Sequence, residues 1–219
     1  MEVTMWFYKR TNFKAGDLRI EVPDVRKFKG VDPNFVAPRK IDNRDMLLVS
    51  SNQRMTPHCA GYATAGYIEF INWKVKHYPE QVDGDAIYER AKLLDHDSAD
   101  GTTLEFAAEA ALCLGLISHN EDHFVAPTKK DLQFALHQFG VVVCGFDITD
   151  DWNYVNSKGD IAFTDRPDRL GGHAVLACGY DDIGVYIQNS WGKTWGIHGF
   201  GRLSWEQVSD QFMYGLVIQ

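Results

Sequence analysis

Apolar positions change their rhythm partway along this chain. From residue 58 to 78 they recur at helical spacing, at Tyr62, Ala65, Ile68, Phe70, Ile71, Trp73 and Val75, which predicts a long, mostly buried helix closed by Pro79. A shorter helix is predicted over 85–94. Another follows Thr102 or Thr103, either of which can cap it, with Leu104, Ala107, Ala108, Ala111, Leu112 and Leu114 on its apolar side and Gly115 at its end. A last helix is expected over 128–138. Beyond that the runs become short and continuous: 140–146, 173–180, 185–189, 200–205 and 214–218 read as strands, with Asp181-Asp182-Ile183-Gly184 as a hairpin turn. A helical half followed by an antiparallel strand half defines an α+β protein. Residues 18–22 alternate like a short strand, but Pro23, Gly30, Pro33 and Pro38 break any regular element around them. Residues 1–40 therefore read as an N-terminal arm lying over the surface. An inhibitory segment that plugs a cleft would need an apolar helical face, and no strong helical period is present there.

Bulk properties narrow the possibilities. A chain of 219 residues suits one large domain or two lobes sharing a cleft. Its hydrophobic content of 45% and charged content of 24% are those of a globular protein. The net charge of −8 argues against nucleic acid or an anionic membrane as the main partner. No run of apolar residues reaches the ~18 needed to span a bilayer, and the first ten residues lack the pattern of a secretory signal. The four cysteines, Cys59, Cys113, Cys144 and Cys178, show no metal-type or CxxC spacing. The last three have apolar neighbours and read as buried free thiols. A reducing, cytoplasmic location is the expectation.

Cys59 differs from the other three. It opens the long predicted helix just after Pro57 and His58, where the positive end of the helix dipole favours thiolate over thiol. A thiolate nucleophile needs a base and a group that orients it. His173, in Gly171-Gly172-His173-Ala174-Val175, begins a buried strand, and Asn189 opens Asn189-Ser190-Trp191-Gly192 at the end of the next one. Gln53, shortly before the cysteine, carries a side-chain amide suited to holding a developing oxyanion.

Together, Gln53…Cys59, His173-Ala174-Val175 and the run from Asn189-Ser190-Trp191-Gly192 through Trp195-Gly196 to Gly199-Phe200 resemble the papain family of cysteine peptidases. The similarity extends from Lys40 to about Trp205. It implies a two-lobe fold with an N-terminal arm at 1–40 and a peptidase domain at 41–219, divided into a mainly helical lobe (41–127) and a mainly β lobe (128–219). It also implies peptide-bond hydrolysis through an acyl-thioester, with no cofactor and with a peptide or protein as partner. By resemblance Cys59 is the nucleophile, His173 the proton carrier and Asn189 its orienting group. The oxyanion hole is formed by Gln53 and the Cys59 N–H, and Trp191 shields the His–Asn bond. Gly101 and Thr102 would flank the substrate backbone. Gly172, Trp191, Trp195 and His58 are further candidates for contact with substrate, Trp195 on the leaving-group side.

The departures are specific. Thr56 stands where the family's first motif cysteine would be, and Ala60 at its aromatic position, which resembles a disulfide-poor prokaryotic branch. Thr102 replaces one glycine of a Gly-Gly pair, and its side chain is expected to narrow that wall of the cleft. The turn-rich stretch 147–170 is expected to cover the cleft beside His173, and with Ala174 and residues 210–212 to shape the pocket floor. Asp147, Asp150 and Asp151 read as a solvated turn rather than a metal site. Acyl transfer or transamidation by the same triad, and a binding protein on an inactive peptidase fold, are the alternatives. His77, His96, His119, His123, His137 and His198 read as surface or structural.

Overall fold

The computed structural model describes residues 18–19, 31–49, 51–78, 80–119 and 122–218. Helix α1 (Cys59–Lys76) is the long helix read from the apolar pattern, and its first two-thirds is almost entirely buried. It can lie so deep because its face is small. At Gly61 a Cβ would sit 2.2 Å from the Gly84 carbonyl oxygen, so only glycine allows α1 to approach helix α2 (Gly84–Asp95) this closely. The α2 N-terminus is capped by Asp83, whose carboxylate accepts the N–H groups of Asp85 and Ala86. Thr103 caps helix α3 (Leu104–Cys113), and Thr128 caps helix α4 (Lys129–Phe139), which ends at Gly140 with φ +93°. Where α1 turns toward α2, Glu69 is buried, with one carboxylate oxygen accepting the Val82 N–H at 3.0 Å. Burial pushes its pKa up to about 7, that single hydrogen bond opposing the shift.

The strands are β1 (Ile41–Asp42), β2 (Asp122–Val125), β3 (Val142–Thr149), β4 (Arg169–Tyr180), β5 (Gly184–Gln188), β6 (Phe200–Ser204) and β7 (Phe212–Ile218). They form one antiparallel sheet in the order β2-β7-β3-β4-β5-β6, with β1 on β4. Helix α1 packs on β4, and its Tyr67 hydroxyl donates to the Ile218 carbonyl of β7 at 2.7 Å. The helical layer and the sheet thus meet along α1 and β4, the elements that carry Cys59 and His173.

Three local expectations are corrected. Trp205, read as the end of the strand over 200–205, instead opens an unexpected helix, α5 (Trp205–Gln211). Ser204 and Gln207 close a reciprocal capping box there, a Ser-x-x-Gln signal present in the sequence. Strand β2 lies in the half read as helical yet pairs with β7. Cys113, expected to be buried, is exposed, because it is the last residue of α3 and its turn faces outward. Of the alternating stretch 18–22, Leu18 and Arg19 are described; Leu18 forms an isolated parallel bridge with Thr102, and residues 20–22 lie outside the described residues.

Candidate active site

His173 stands on β4 opposite Phe146 of β3 and is 1% exposed. Its Nε2 lies 2.9 Å from Asn189 Oδ1. The Ser190 backbone N–H also donates to Asn189 Oδ1, at 2.8 Å. An atom that accepts from a backbone N–H is the amide oxygen, so Nε2 must carry the His173 proton. The neutral ring is left with its lone pair on Nδ1. Around it, Trp191 lies tilted against the ring at 5.0 Å and Trp152 meets it edge-on at 6.0 Å. Trp152 is held in turn, its indole N–H donating to Gln211 Oε1 at 2.7 Å and its carbonyl accepting from Trp195 Nε1 at 2.8 Å.

This enclosure has an electrostatic price. Burial pulls the His173 pKa down to about 4, with the Asn189 hydrogen bond acting in the opposite direction. An isolated imidazolium is therefore disfavoured at neutral pH. A nearby anion would compensate the imidazolium and make it accessible.

The segment that leads to Cys59 is held by main-chain bonds. The Gln53 N–H donates to the Ser190 carbonyl at 2.8 Å, Asn52 forms a bridge with Trp191, and the Gly192 N–H donates to the Ser51 carbonyl at 3.0 Å. The approach to Cys59 is thereby stitched to the strand end that carries Asn189. Gln53 is 2% exposed and its amide is fixed at both ends: Nε2 donates to the Thr56 carbonyl at 2.8 Å, and Oε1 accepts from the Ser190 hydroxyl. A carbonyl can only accept, so the amide orientation is determined, and the second hydrogen on Nε2 has one direction to point. Cys59 is buried at the start of α1.

The other predicted contacts fare differently. His58 is the N-cap residue of α1 without making a capping bond; its ring stacks on Tyr88 at 3.9 Å and its Nδ1 lies 2.7 Å from Asp85 Oδ1. Trp195 is 4% exposed and braces the Trp152 carbonyl. Gly101, with φ +83°, donates its N–H to the Tyr88 hydroxyl and accepts from Lys92 Nζ. The Thr102 side chain, expected to narrow a wall of the cleft, is buried, and its hydroxyl donates to Asp95 Oδ2 at 2.9 Å. The carbonyls of Thr102 and Gly172 accept from the N–H groups of Arg19 (3.2 Å) and Leu18 (2.9 Å). Asp151 is not solvated either; it is 3% exposed and accepts from the N–H and hydroxyl of Thr164. Among the described residues no group of three or more His, Cys, Asp or Glu is placed to hold a metal.

Sequence reasoning missed Ser190, which ties Gln53 to Asn189, and Trp152, the cover of His173. The signal for Trp152 was a lone indole inside the polar run Asp150-Asp151-Trp152-Asn153, a residue too apolar to be left in solvent.

A helical layer that begins at a buried Cys and packs on an antiparallel sheet carrying a buried, hydrogen-bonded His–Asn pair is the papain-like α+β class. The profile of the papain family cysteine proteases matches residues 87–214, more than half the chain, and the protein belongs to that family. Its fold is similar to xylellain, a cysteine protease from Xylella fastidiosa, with a TM-score of 0.79 at 20% identity, covering 97% of this chain and 98% of that one. It is also similar to digestive procathepsin L 3 of the Tenebrio molitor larval midgut, with a TM-score of 0.66 at 15% identity over 94% of this chain and 75% of that one. In sequence, an uncharacterized peptidase C1-like protein of Acanthamoeba polyphaga mimivirus is 39% identical over 44 residues, 19% of this chain. That match spans only 14% of the viral protein's length. Among the described residues no helix is long and apolar enough to cross a membrane.

Proposed function

We propose that this protein is a cysteine peptidase that cleaves peptide bonds through Cys59, His173 and Asn189. The observation that carries the reading is the locked tautomer of His173: Asn189 Oδ1 holds the Nε2 proton, which reserves Nδ1 as the base. Cys59 Sγ gives its proton to Nδ1 and attacks the substrate carbonyl carbon, forming a C–S bond. The carbonyl oxygen becomes an oxyanion that Gln53 Nε2 and the Cys59 N–H stabilise. Collapse of this intermediate breaks the C–N bond, the amine leaving with the proton returned by His173 and an acyl-thioester remaining on Cys59. Water, deprotonated by the same Nδ1, then hydrolyses the thioester and restores the thiol. Each oxyanion donor is worth about 3 kcal/mol where such groups have been removed in other enzymes. The free thiols of all four cysteines support the reducing compartment expected from their spacing.

The test is alkylation by a peptidyl epoxide, read by intact mass, together with hydrolysis of a fluorogenic peptide library. One adduct on the wild type and none on Cys59→Ala, with hydrolysis abolished in parallel, is the expected result. A wild-type protein that neither alkylates under reducing conditions nor cleaves any peptide overturns the reading.

A further inference from the structure

Beside the cleft, the loop between α2 and α3 holds carboxylates in a built arrangement. The Asp95 side chain is fully buried and accepts from the Thr102 hydroxyl, from Lys92 Nζ at 3.2 Å and from the Asp97 N–H at 3.0 Å. Asp97 follows it, 42% exposed, with one oxygen accepting the Ala99 N–H. Two carboxylates face one lysine ammonium, so this group is one positive charge short. The missing charge is supplied by Arg19, whose guanidinium forms ion pairs with both Asp95 and Asp97.

Arg19 reaches them from a substrate-like setting. Leu18 and Arg19 form an extended pair whose N–H groups donate to the Gly172 carbonyl, next to His173, and to the Thr102 carbonyl across the cleft. Neighbouring side chains on an extended backbone point to opposite sides. Leu18 accordingly turns into an apolar pocket, 4% exposed, where its Cδ2 occupies the space a Cβ on Gly145 would need, at 2.9 Å, close to Tyr214. Arg19 turns the other way, to the aspartates.

We propose that Asp95 and Asp97 form a subsite for a basic side chain, adjoining the apolar pocket that Leu18 fills. The peptidase then selects peptides in which an aliphatic residue, nearer the scissile bond, is flanked by lysine or arginine. In this structure the subsite is occupied by the chain's own Arg19. Asp97 is the discriminating residue: when Arg19 departs, Asp95 retains Lys92 and Thr102, whereas Asp97 loses its cation. This specificity rests on the peptidase reading above, and the test separates the two.

The full-length Leu18→Ala, Arg19→Ala protein, in which both the apolar pocket and the subsite are cleared, is assayed with fluorogenic peptides Xaa-Leu-Gly in which the amide after glycine is cleaved and Xaa is Arg, Ala or Glu. The expected kcat/KM for Arg exceeds that for Glu at least tenfold. Asp97→Asn, which keeps an acceptor for the Ala99 N–H, reduces that ratio to less than threefold with little change for Ala. In parallel, binding of the labelled Arg and Glu peptides to the Leu18→Ala, Arg19→Ala, Cys59→Ala protein is measured by fluorescence anisotropy at low and high salt. Tighter binding of the Arg peptide, weakened by salt and by Asp97→Asn, is expected. Hydrolysis of all three peptides at equal rates overturns the subsite and leaves the peptidase standing. Charge-selective binding without any hydrolysis leaves the subsite standing and overturns the peptidase. Equal or absent binding of both peptides, with a native thermal melt, overturns the subsite.

Discussion

The two halves of the candidate site are held by different means. On the sheet side, His173 is fixed by side chains: Asn189 on its proton and two indoles around its ring, one of them braced by Gln211. On the helix side, the backbone around Cys59 and Gln53 is fixed by a helix start, a chain of N–H to carbonyl bonds and a helix–helix contact close enough to require glycine, with the Ser190 hydroxyl as the one side-chain tie, on the Gln53 amide. A base must have one nitrogen presented and water excluded, which takes bulky neighbours and a specific acceptor. A proposed nucleophile and its oxyanion donors need only to be in place, which main-chain geometry and one hydroxyl supply without titrating anything.

If that contrast holds, damage to the helix side should appear first as lost stability and damage to the sheet side as lost turnover. The largest effect is expected from Gly61→Ala. Its methyl group would meet the Gly84 carbonyl and the Tyr88 N–H, so α1 and α2 must part. Chemical denaturation should show a loss of roughly 3 kcal/mol, with epoxide labelling of Cys59 slowed in whatever remains folded. A change within 0.5 kcal/mol would mean that the close approach is not what seats the nucleophile. Next, Asn189→Ala should lower kcat about 100-fold with KM nearly unchanged, since it frees the His173 tautomer without touching substrate. A KM effect of the same size would assign Asn189 to substrate binding instead.

The smallest effect contrasts two buried titrating groups. Glu69 has a folded pKa raised to about 7, so between about 4.5 and 7 the folded state keeps a proton that the unfolded chain releases. Stability falls as pH rises through that window. His173 has a folded pKa lowered to about 4, so between about 6.5 and 4 the unfolded chain binds the extra proton, and stability falls as pH drops. Glu69→Gln keeps an acceptor for Val82 and removes only the first term. It should stabilise the protein by about 2 kcal/mol more at pH 8 than at pH 4.5. Equal effects at both pH values would place the Glu69 carboxyl in contact with solvent.

The same contrast explains what could be read without a structure. Helices α1 to α4 announced themselves through apolar spacing and through Asp, Thr and Gly at their ends, all local signals. The candidates Cys59, His173 and Asn189 likewise lie in short runs of unusual residues. What stayed hidden depends on partners distant in the chain. Strand β2 has meaning only against β7. The Thr102 hydroxyl looked like an obstruction until Asp95 was found to hold it. Trp152 and Ser190 act through neighbours that the order of residues does not bring together. Helix α5 is the exception: its capping box was local and legible, and the apolar residues on either side of it masked the signal.

The position of β7 in the sheet also bears on biosynthesis. It is the last strand in chain order, yet it lies between β2 and β3 and takes the Tyr67 hydroxyl bond from α1. Until residue 218 has left the ribosome, β2 has no partner and β3 pairs on one side only. A nascent chain that already displays Cys59, His173 and Asn189 thus lacks the strand that fills the sheet between β2 and β3. A chain that stops before β7 presents an open edge on β3, the kind of unpaired strand that invites misassociation.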